Sequence, residues 1–229
     1  AIPRESMALV LVPESKTAAF EKLVTDYHHM YRKEFAETEP DLSFTCEAAS
    51  IPAKVVPADD QAKFIRALYA CPNGVQRMSQ SMPGLVETSN NLAIASIRDG
   101  EFSALNLTRS SVDSAKDATA WKIAGVFQLI GAEVEMEGSY PGWKPNMDSA
   151  ILKVCQQVYE KNFNKVPKIS AMHAGLECGL LGGVYPDLDM ISFGPTIRFP
   201  HSPDEKVHIE TVKKFWDFLV LILENIPYR

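Results

Sequence analysis

Leu85-Val86-Glu87-Thr88-Ser89-Asn90-Asn91-Leu92-Ala93-Ile94-Ala95-Ser96-Ile97-Arg98, then Asp99-Gly100, then Glu101-Phe102-Ser103-Ala104-Leu105-Asn106-Leu107-Thr108-Arg109-Ser110, reads as two strands joined by a two-residue turn. Asp-Gly tolerates positive φ at both central positions of a type I′ turn, whose twist suits an antiparallel pair. Such a loop sets Arg98 against Glu101. Counting outward places Ile94 opposite Leu105, Leu92 opposite Leu107 and Asn90 opposite Arg109. Arg109 and the Asn90-Asn91 pair therefore share one end of the hairpin.

Helices flank it. Asp59 is a good N-cap for a short helix with Phe64, Ala67, Leu68 and Cys71 on one face. Residues 114–131 place Ala120, Ile123, Ala124, Phe127 and Ile130 inward and close with Gly131 at C′. Further upstream, Phe20, Leu23, Val24, Tyr27 and Tyr31 form the apolar stripe of a helix over 14–36, with His28 and His29 on its solvated side. Residues 6–12, 41–49 and 133–138 read as strands. The span 1–138 is thus expected to be an open-faced α/β sandwich, with a mixed, largely antiparallel sheet and helices on one face.

Tyr140-Pro141-Gly142-Trp143-Lys144-Pro145 is turn-rich, and the domain boundary is expected there. In 139–229, Asp148 caps a helix with Ile151, Val154, Cys155 and Val158 inward; 168–172 and 189–193 read as strands and 176–181 as a short helix. A last helix over 210–226 is expected to bury Val212, Phe215, Trp216, Leu219, Ile222, Leu223 and Ile226. This alternation suits a parallel sheet with crossover helices, yet two or three strands are too few to close one covered on both faces. The second segment is expected to be part of an α/β domain whose other half lies outside the chain, and the start at Ala1-Ile2-Pro3 without a methionine fits a fragment.

The 229 residues are 46% hydrophobic and 23% charged, enough apolar material for a core. A net charge of −6 without basic runs argues against a nucleic-acid surface. No apolar run approaches the ~20 residues of a membrane helix, and a cytoplasmic location is expected. Cys46, Cys71, Cys155 and Cys178 lack C-x-x-C spacing and are expected as small buried residues.

Two histidines invite chemistry. His173 ends an expected strand in Met172-His173-Ala174-Gly175-Leu176-Glu177-Cys178-Gly179; strand carboxyl ends are where open α/β sheets hold ligands. Tight strand-to-helix packing explains the small residues equally well. His201 lies in Gly194-Pro195-Thr196-Ile197-Arg198-Phe199-Pro200-His201-Ser202-Pro203, where prolines would hold a metal ligand in place. A bare histidine in such a loop is also compatible with no role.

Those two stretches, with Ser192-Phe193-Gly194-Pro195-Thr196-Ile197-Arg198 and His201-Ser202-Pro203-Asp204-Glu205, resemble the C-terminal end of aminoacyl-histidine dipeptidases. Pro72-Asn73-Gly74-Val75, Val86-Glu87-Thr88-Ser89 and Gly138-Ser139-Tyr140-Pro141-Gly142-Trp143 resemble the lid domain of the same enzymes and its return into the catalytic domain. The resemblance covers essentially the whole chain. It implies a lid and dimerisation domain over 1–138, lacking its N-terminal part, and the C-terminal portion of a zinc-peptidase catalytic domain over 139–229. It implies two zinc ions, a metal-activated water, a dipeptide substrate of the Xaa-His type such as β-alanyl-histidine, and a homodimer through the lid.

By position, His201 resembles the family's last zinc ligand. Gly175 and Glu177, with His173 just before them, resemble the segment that touches substrate. Arg109 resembles the arginine that grips the substrate's terminal carboxylate, and Asn91 a lid asparagine beside it. The remaining ligands and the general base precede Ala1 in such an enzyme, so no catalytic residue is expected in this chain and the isolated chain is expected to be inactive. Two other readings stand: a non-catalytic lid-type dimerisation module, and a related di-zinc tripeptidase, deacylase or carboxypeptidase.

Overall fold

A computed structural model describes residues 3–144, 146–171, 177–200 and 202–226. The chain divides into two units, residues 3–61 and 62–226. The first contains a 3-10 turn (Glu14–Lys16) that runs into helix α1 (Thr17–Glu34). Of the expected stripe on α1 only Val24 is buried, while Leu23, Tyr27 and Tyr31 stay exposed. His28 is not merely solvated: its Nδ1 accepts the Phe44 backbone N–H at 3.0 Å and ties the loop after α1 back to the helix. Residues 6–12 and 41–49 form no strand, because extended chain becomes a strand only beside a partner and none pairs with them among the described residues.

Helix α2 (Ala58–Ala70), most of which belongs to the second unit, leads into β1 (Gly74–Met78), β2 (Val86–Arg98), β3 (Glu101–Ser110) and α3 (Asp113–Gln128). The sheet is antiparallel in the order β1-β2-β3. The turn is as expected, with φ of 54° at Asp99 and 87° at Gly100. Strand β1 went unread because it is an edge strand exposed along its whole length and shows no alternation. Helix α3 ends as expected: Ala132 N–H reaches Phe127 O and Gly131 N–H reaches Gln128 O, the paired bonds of a Schellman motif, with Gly131 at φ 81°.

The hairpin register holds as counted from the turn to Ile94↔Leu105, then shifts. Ala93 is an extra residue on β2, so Leu92 faces Asn106, Asn91 faces Leu107 and Ser89 faces Arg109. The expected pairs Leu92–Leu107 and Asn90–Arg109 are displaced by one. The bulge keeps Leu92, Phe102 and Ala104 on the helix side, packed with Ala67, Cys71, Ile123 and Phe127. Phe102 stacks on Phe64 and tilts against Phe127, with ring centroids 5.5 and 6.1 Å apart.

Beyond the bulge the inner face turns polar. Asn90, only 3% exposed, donates to Pro72 O at 2.7 Å and Asn106 Oδ1 at 2.8 Å, and accepts from Thr108 Oγ1 at 3.0 Å. The Cys71 thiol donates to the same Asn106 oxygen, and Asn73 Oδ1 takes the Leu92 N–H beside the bulge at 2.9 Å. The residue that pins this end is therefore Asn90, not its neighbour.

The rest of the unit holds α4 (Ala150–Phe163), α5 (Glu177–Val184), a two-stranded ribbon of β4 (Ile197–Arg198) and β5 (Lys206–Val207), and α6 (Ile209–Asn225). Residues 133–138, 168–171 and 189–193 form no strand, for want of a partner as before. The N-cap of α4 is Ser149 rather than Asp148, with its Oγ 3.0 Å from Leu152 N. Asp189 Oδ2 takes the Ile151 N–H, and its hydrogen bond with Ser149, then those with backbone amides, hold its carboxyl below the usual range.

Cys155 and Val158 of α4 pack on Ile222 and Phe218 of α6, the rings of Tyr159, Phe163 and Phe193 surround Phe218, and Phe215 tilts against Phe193. Of the seven residues expected to be buried by the last helix, Ile222 is buried and Phe215 and Leu219 are half-buried, whereas Val212, Trp216, Leu223 and Ile226 are exposed. Phe218 and Ile222 face α4, but Val212, Trp216 and Leu223 form a second apolar stripe on the opposite side and are exposed, Trp216 at 61%.

Asn90→Ala leaves Asn106 and Thr108 without their buried partner. Urea unfolding of this variant should show a loss of about 1–3 kcal/mol, and a change within about 0.5 kcal/mol would contradict the network's role.

Candidate substrate-binding site

Arg109 is the next-to-last residue of β3 and lies on the sheet face away from α3, exposed and in no ion pair among the described residues. Asn91 shares that face, since it pairs with Leu107 while Arg109 pairs with Ser89. The two side chains are diagonal neighbours, a spacing within reach of one small ligand. An open guanidinium with an amide beside it suits a carboxylate, which it can take through two parallel N–H bonds. Had the register held without the bulge, Asn90 would stand there instead.

The neighbouring end of β2 is buried. Thr88 Oγ1 and Ser110 Oγ lie 2.8 Å apart, and Glu87, 6% exposed, has its Oε1 2.9 Å from Arg77 Nε without an aligned hydrogen bond. Glu87 and Thr88 lie in the stretch that resembles a family motif.

After α3 the chain returns past the end of β3 through residues 139–144, which lead into α4 and pack against α5. Asp113, in the first turn of α3, accepts the Gly142 N–H at 2.9 Å and the Lys116 ammonium at 2.8 Å, and Lys116 also donates to Tyr140 O. The lysine's hydrogen bond comes first among the causes that hold the Asp113 carboxyl below its usual range. Gly142 lies so close to β3 that an added Cβ would meet Ser110 O at 2.8 Å, and a Cβ on Gly179 of α5 would meet Pro141 O at 2.5 Å. Only glycine permits both approaches. Nothing in sequence spacing flagged Asp113 or Lys116, whose i,i+3 pairing on a helix looks like ordinary surface charge.

Glu177 is the first residue of α5 and is exposed; its charge adds to the burial that pushes the Cys178 thiol up. Burial also raises the Cys71 and Cys155 thiols, in keeping with packed side chains, whereas Cys46, expected to be buried, is exposed. His173, Gly175 and His201 lie outside the described residues. The flanks of His201 are ordered by the β4–β5 ladder, with Ile197 opposite Val207 and Arg198 opposite Lys206. Ser202 also donates twice to Phe199 O, from its N–H at 3.2 Å and its hydroxyl at 2.9 Å. Among the described residues no three His, Cys, Asp or Glu side chains gather as a metal site, so they do not by themselves fit a zinc pair. Nor is any described helix long and apolar enough to cross a membrane.

A small antiparallel sheet backed by helices is thus joined to a helical segment through a glycine junction. The match of residues 8–225 to the model of peptidase family M20/M25/M40 places the chain in that family. It is 40% identical over 229 residues to the cytosol non-specific dipeptidase of Escherichia coli (strain K12), covering all of this chain and 47% of that protein. The crystal structure of aminoacylhistidine dipeptidase from Vibrio alginolyticus is similar with a TM-score of 0.82 at 43% identity, covering 95% of this chain and 44% of that one. The chain thus spans about half the length of the relatives it matches.

Asp113 gives a pH test. Its folded pKa is lowered, so its contribution is complete above the unfolded value of ~4 and is lost as pH falls through that value and below. Asp113→Asn should therefore flatten the acid side of the stability curve, read by urea unfolding from about pH 5 downward. An unchanged acid slope would show that the carboxylate's ionisation contributes nothing.

Proposed function

We propose that this chain is the C-terminal part of a zinc-dependent dipeptidase that hydrolyses Xaa-His dipeptides such as β-alanyl-histidine. The observation that carries the reading is that the exposed Arg109 guanidinium and Asn91 share the open sheet face, one residue from Ser110, against which Gly142 packs. Kinship with dipeptidases along the whole chain supports the same reaction class.

The division of labour follows from what the chain carries. Arg109 and Asn91 bind the substrate's terminal carboxylate; His173, Gly175 and Glu177 border the bound peptide. A zinc pair, when bound, supplies the hydrolytic water's activation, and this chain contributes His201 as one ligand. The other ligands and the general base lie outside it. The second apolar stripe on α6, Val212, Trp216 and Leu223, supports this, because a helix apolar on two sides needs a layer on each. In this reading 1–138 belongs to the lid and 139–229 to the catalytic domain, and the enzyme is cytoplasmic.

The lid also forms the homodimer. Val75, Ile94, Leu105 and Leu107 are exposed on the sheet, more apolar surface than a monomeric face usually leaves bare. Leu107→Glu should shift the protein toward monomer in sedimentation equilibrium; an unchanged mass would remove this face from the interface.

In the complete enzyme, Arg109→Ala should lower kcat/KM for β-alanyl-histidine by the equivalent of about 2–5 kcal/mol, while the 229-residue chain alone should show no hydrolysis. Wild-type kinetics in the variant, or turnover by the isolated chain, would overturn the reading.

A further inference from the structure

The hairpin bearing Arg109 and the helix beginning at Glu177 are joined by two direct backbone approaches through residues 141 and 142. Ser110, next to Arg109, abuts Gly142; Pro141, next to Gly142, abuts Gly179, two residues from Glu177. Gly183, one turn further along α5, would meet Pro141 Cγ at 2.9 Å if it carried a Cβ, so α5 is fitted around this proline over a full turn. The 140–142 segment is held from its other side by α3. Asp113 accepts the Gly142 N–H, Lys116 donates to Tyr140 O, and the two charges bond to each other.

Lys116 is well suited to this task. Its side chain is only 15% exposed although its partner Asp113 is 55% exposed, so the ammonium is drawn in beneath the segment rather than left to solvent. An ordinary i,i+3 surface pair leaves both ends in water and contributes little. This one spends its donors on a backbone carbonyl of another segment. Asp113 likewise does not cap its own helix, whose N-cap is Val112 with no side-chain cap bond; its carboxylate reaches across to Gly142 instead. Both charges are thus committed to fixing a connection, and the connection has no room for a side chain at either glycine.

We propose that Asp113, Lys116, Gly142 and Gly179 are positioning residues: they clamp the 140–142 segment between β3 and α5, and so set the separation between Arg109 and Glu177 that a dipeptide spans. This rests on the substrate-binding reading of Arg109 given above. The clamp acts through Arg109 and touches no substrate itself. Its consequence is selectivity by length: the grip on the terminal carboxylate stands at a fixed distance from the bond to be cut. A rigid spacing favours two-residue substrates, and a loosened one weakens that preference together with the rate.

The test is a double-mutant cycle in the complete enzyme with β-alanyl-histidine and a tripeptide as substrates. Gly142→Ala should lower kcat/KM for the dipeptide by about tenfold to a hundredfold, mainly through KM, and narrow the dipeptide-to-tripeptide ratio. In an Arg109→Ala background the same change should cost little more, because the clamp's work is already lost. Lys116→Met, which keeps the buried stem and removes the charge, should reproduce the pattern if Gly142→Ala does not fold. Additive losses, or an unchanged length preference in either folded variant, overturn the clamp while leaving the site standing. An Arg109→Ala enzyme with wild-type kinetics overturns both.

Discussion

A single extra residue, Ala93, decides what this hairpin presents to its surroundings. Side chains alternate along a strand, so one inserted residue exchanges the faces of everything beyond it. Between the turn and Ile94 the strands pair in the register that the turn dictates; beyond Ala93 every partner is displaced by one. Leu92 is thereby kept among the core residues, and Asn91 is turned outward to join Arg109. The bulge is held where it is by side chains that replace the missing ladder bonds: Asn73 takes the Leu92 N–H, and the Asn90 amide ties Pro72, Asn106 and Thr108 together beneath the sheet. A buried amide with its bonds made costs little, whereas in any slipped register it would be stranded.

What the bulge arranges, the junction carries onward. The outward pair on the hairpin would be an isolated surface feature if the chain left β3 by a loose loop. It leaves instead through α3 and returns along 139–144, pressed backbone to backbone against Ser110 on one side and α5 on the other. The two glycines and the Asp113–Lys116 pair make the geometry of that return a property of the fold, not of a flexible linker. The family to which the chain belongs accounts for the reaction class; the junction accounts for how residues so far apart in sequence, 109 and 177, come under one constraint.

Much of this was legible beforehand, and the failures have identifiable causes. The Asp99-Gly100 turn, the Gly131 helix end, α3 and the core face of α2 follow from local chemistry, which sequence states directly. The strands expected at 6–12, 41–49, 133–138, 168–172 and 189–193 have strand-like composition but no partner among the described residues, and strand formation is a property of pairs. β1 failed in the opposite sense, being paired but too exposed to alternate. At the site, Arg109 and Asn91 were readable from resemblance and meet on one face only because of a bulge that no residue type announces. Asp113 and Lys116 were invisible, since their partners are backbone atoms of a segment more than twenty positions away.

The register of the hairpin beyond Ala93 is the claim on which the site depends most directly, and solution NMR of the 229-residue chain can read it. Cross-strand proton contacts should pair Ser89 with Arg109 and Asn91 with Leu107. Contacts pairing Asn90 with Arg109 and Leu92 with Leu107 would mean an unbulged ladder, with Asn91 turned to the helix side and the shared face for a carboxylate gone.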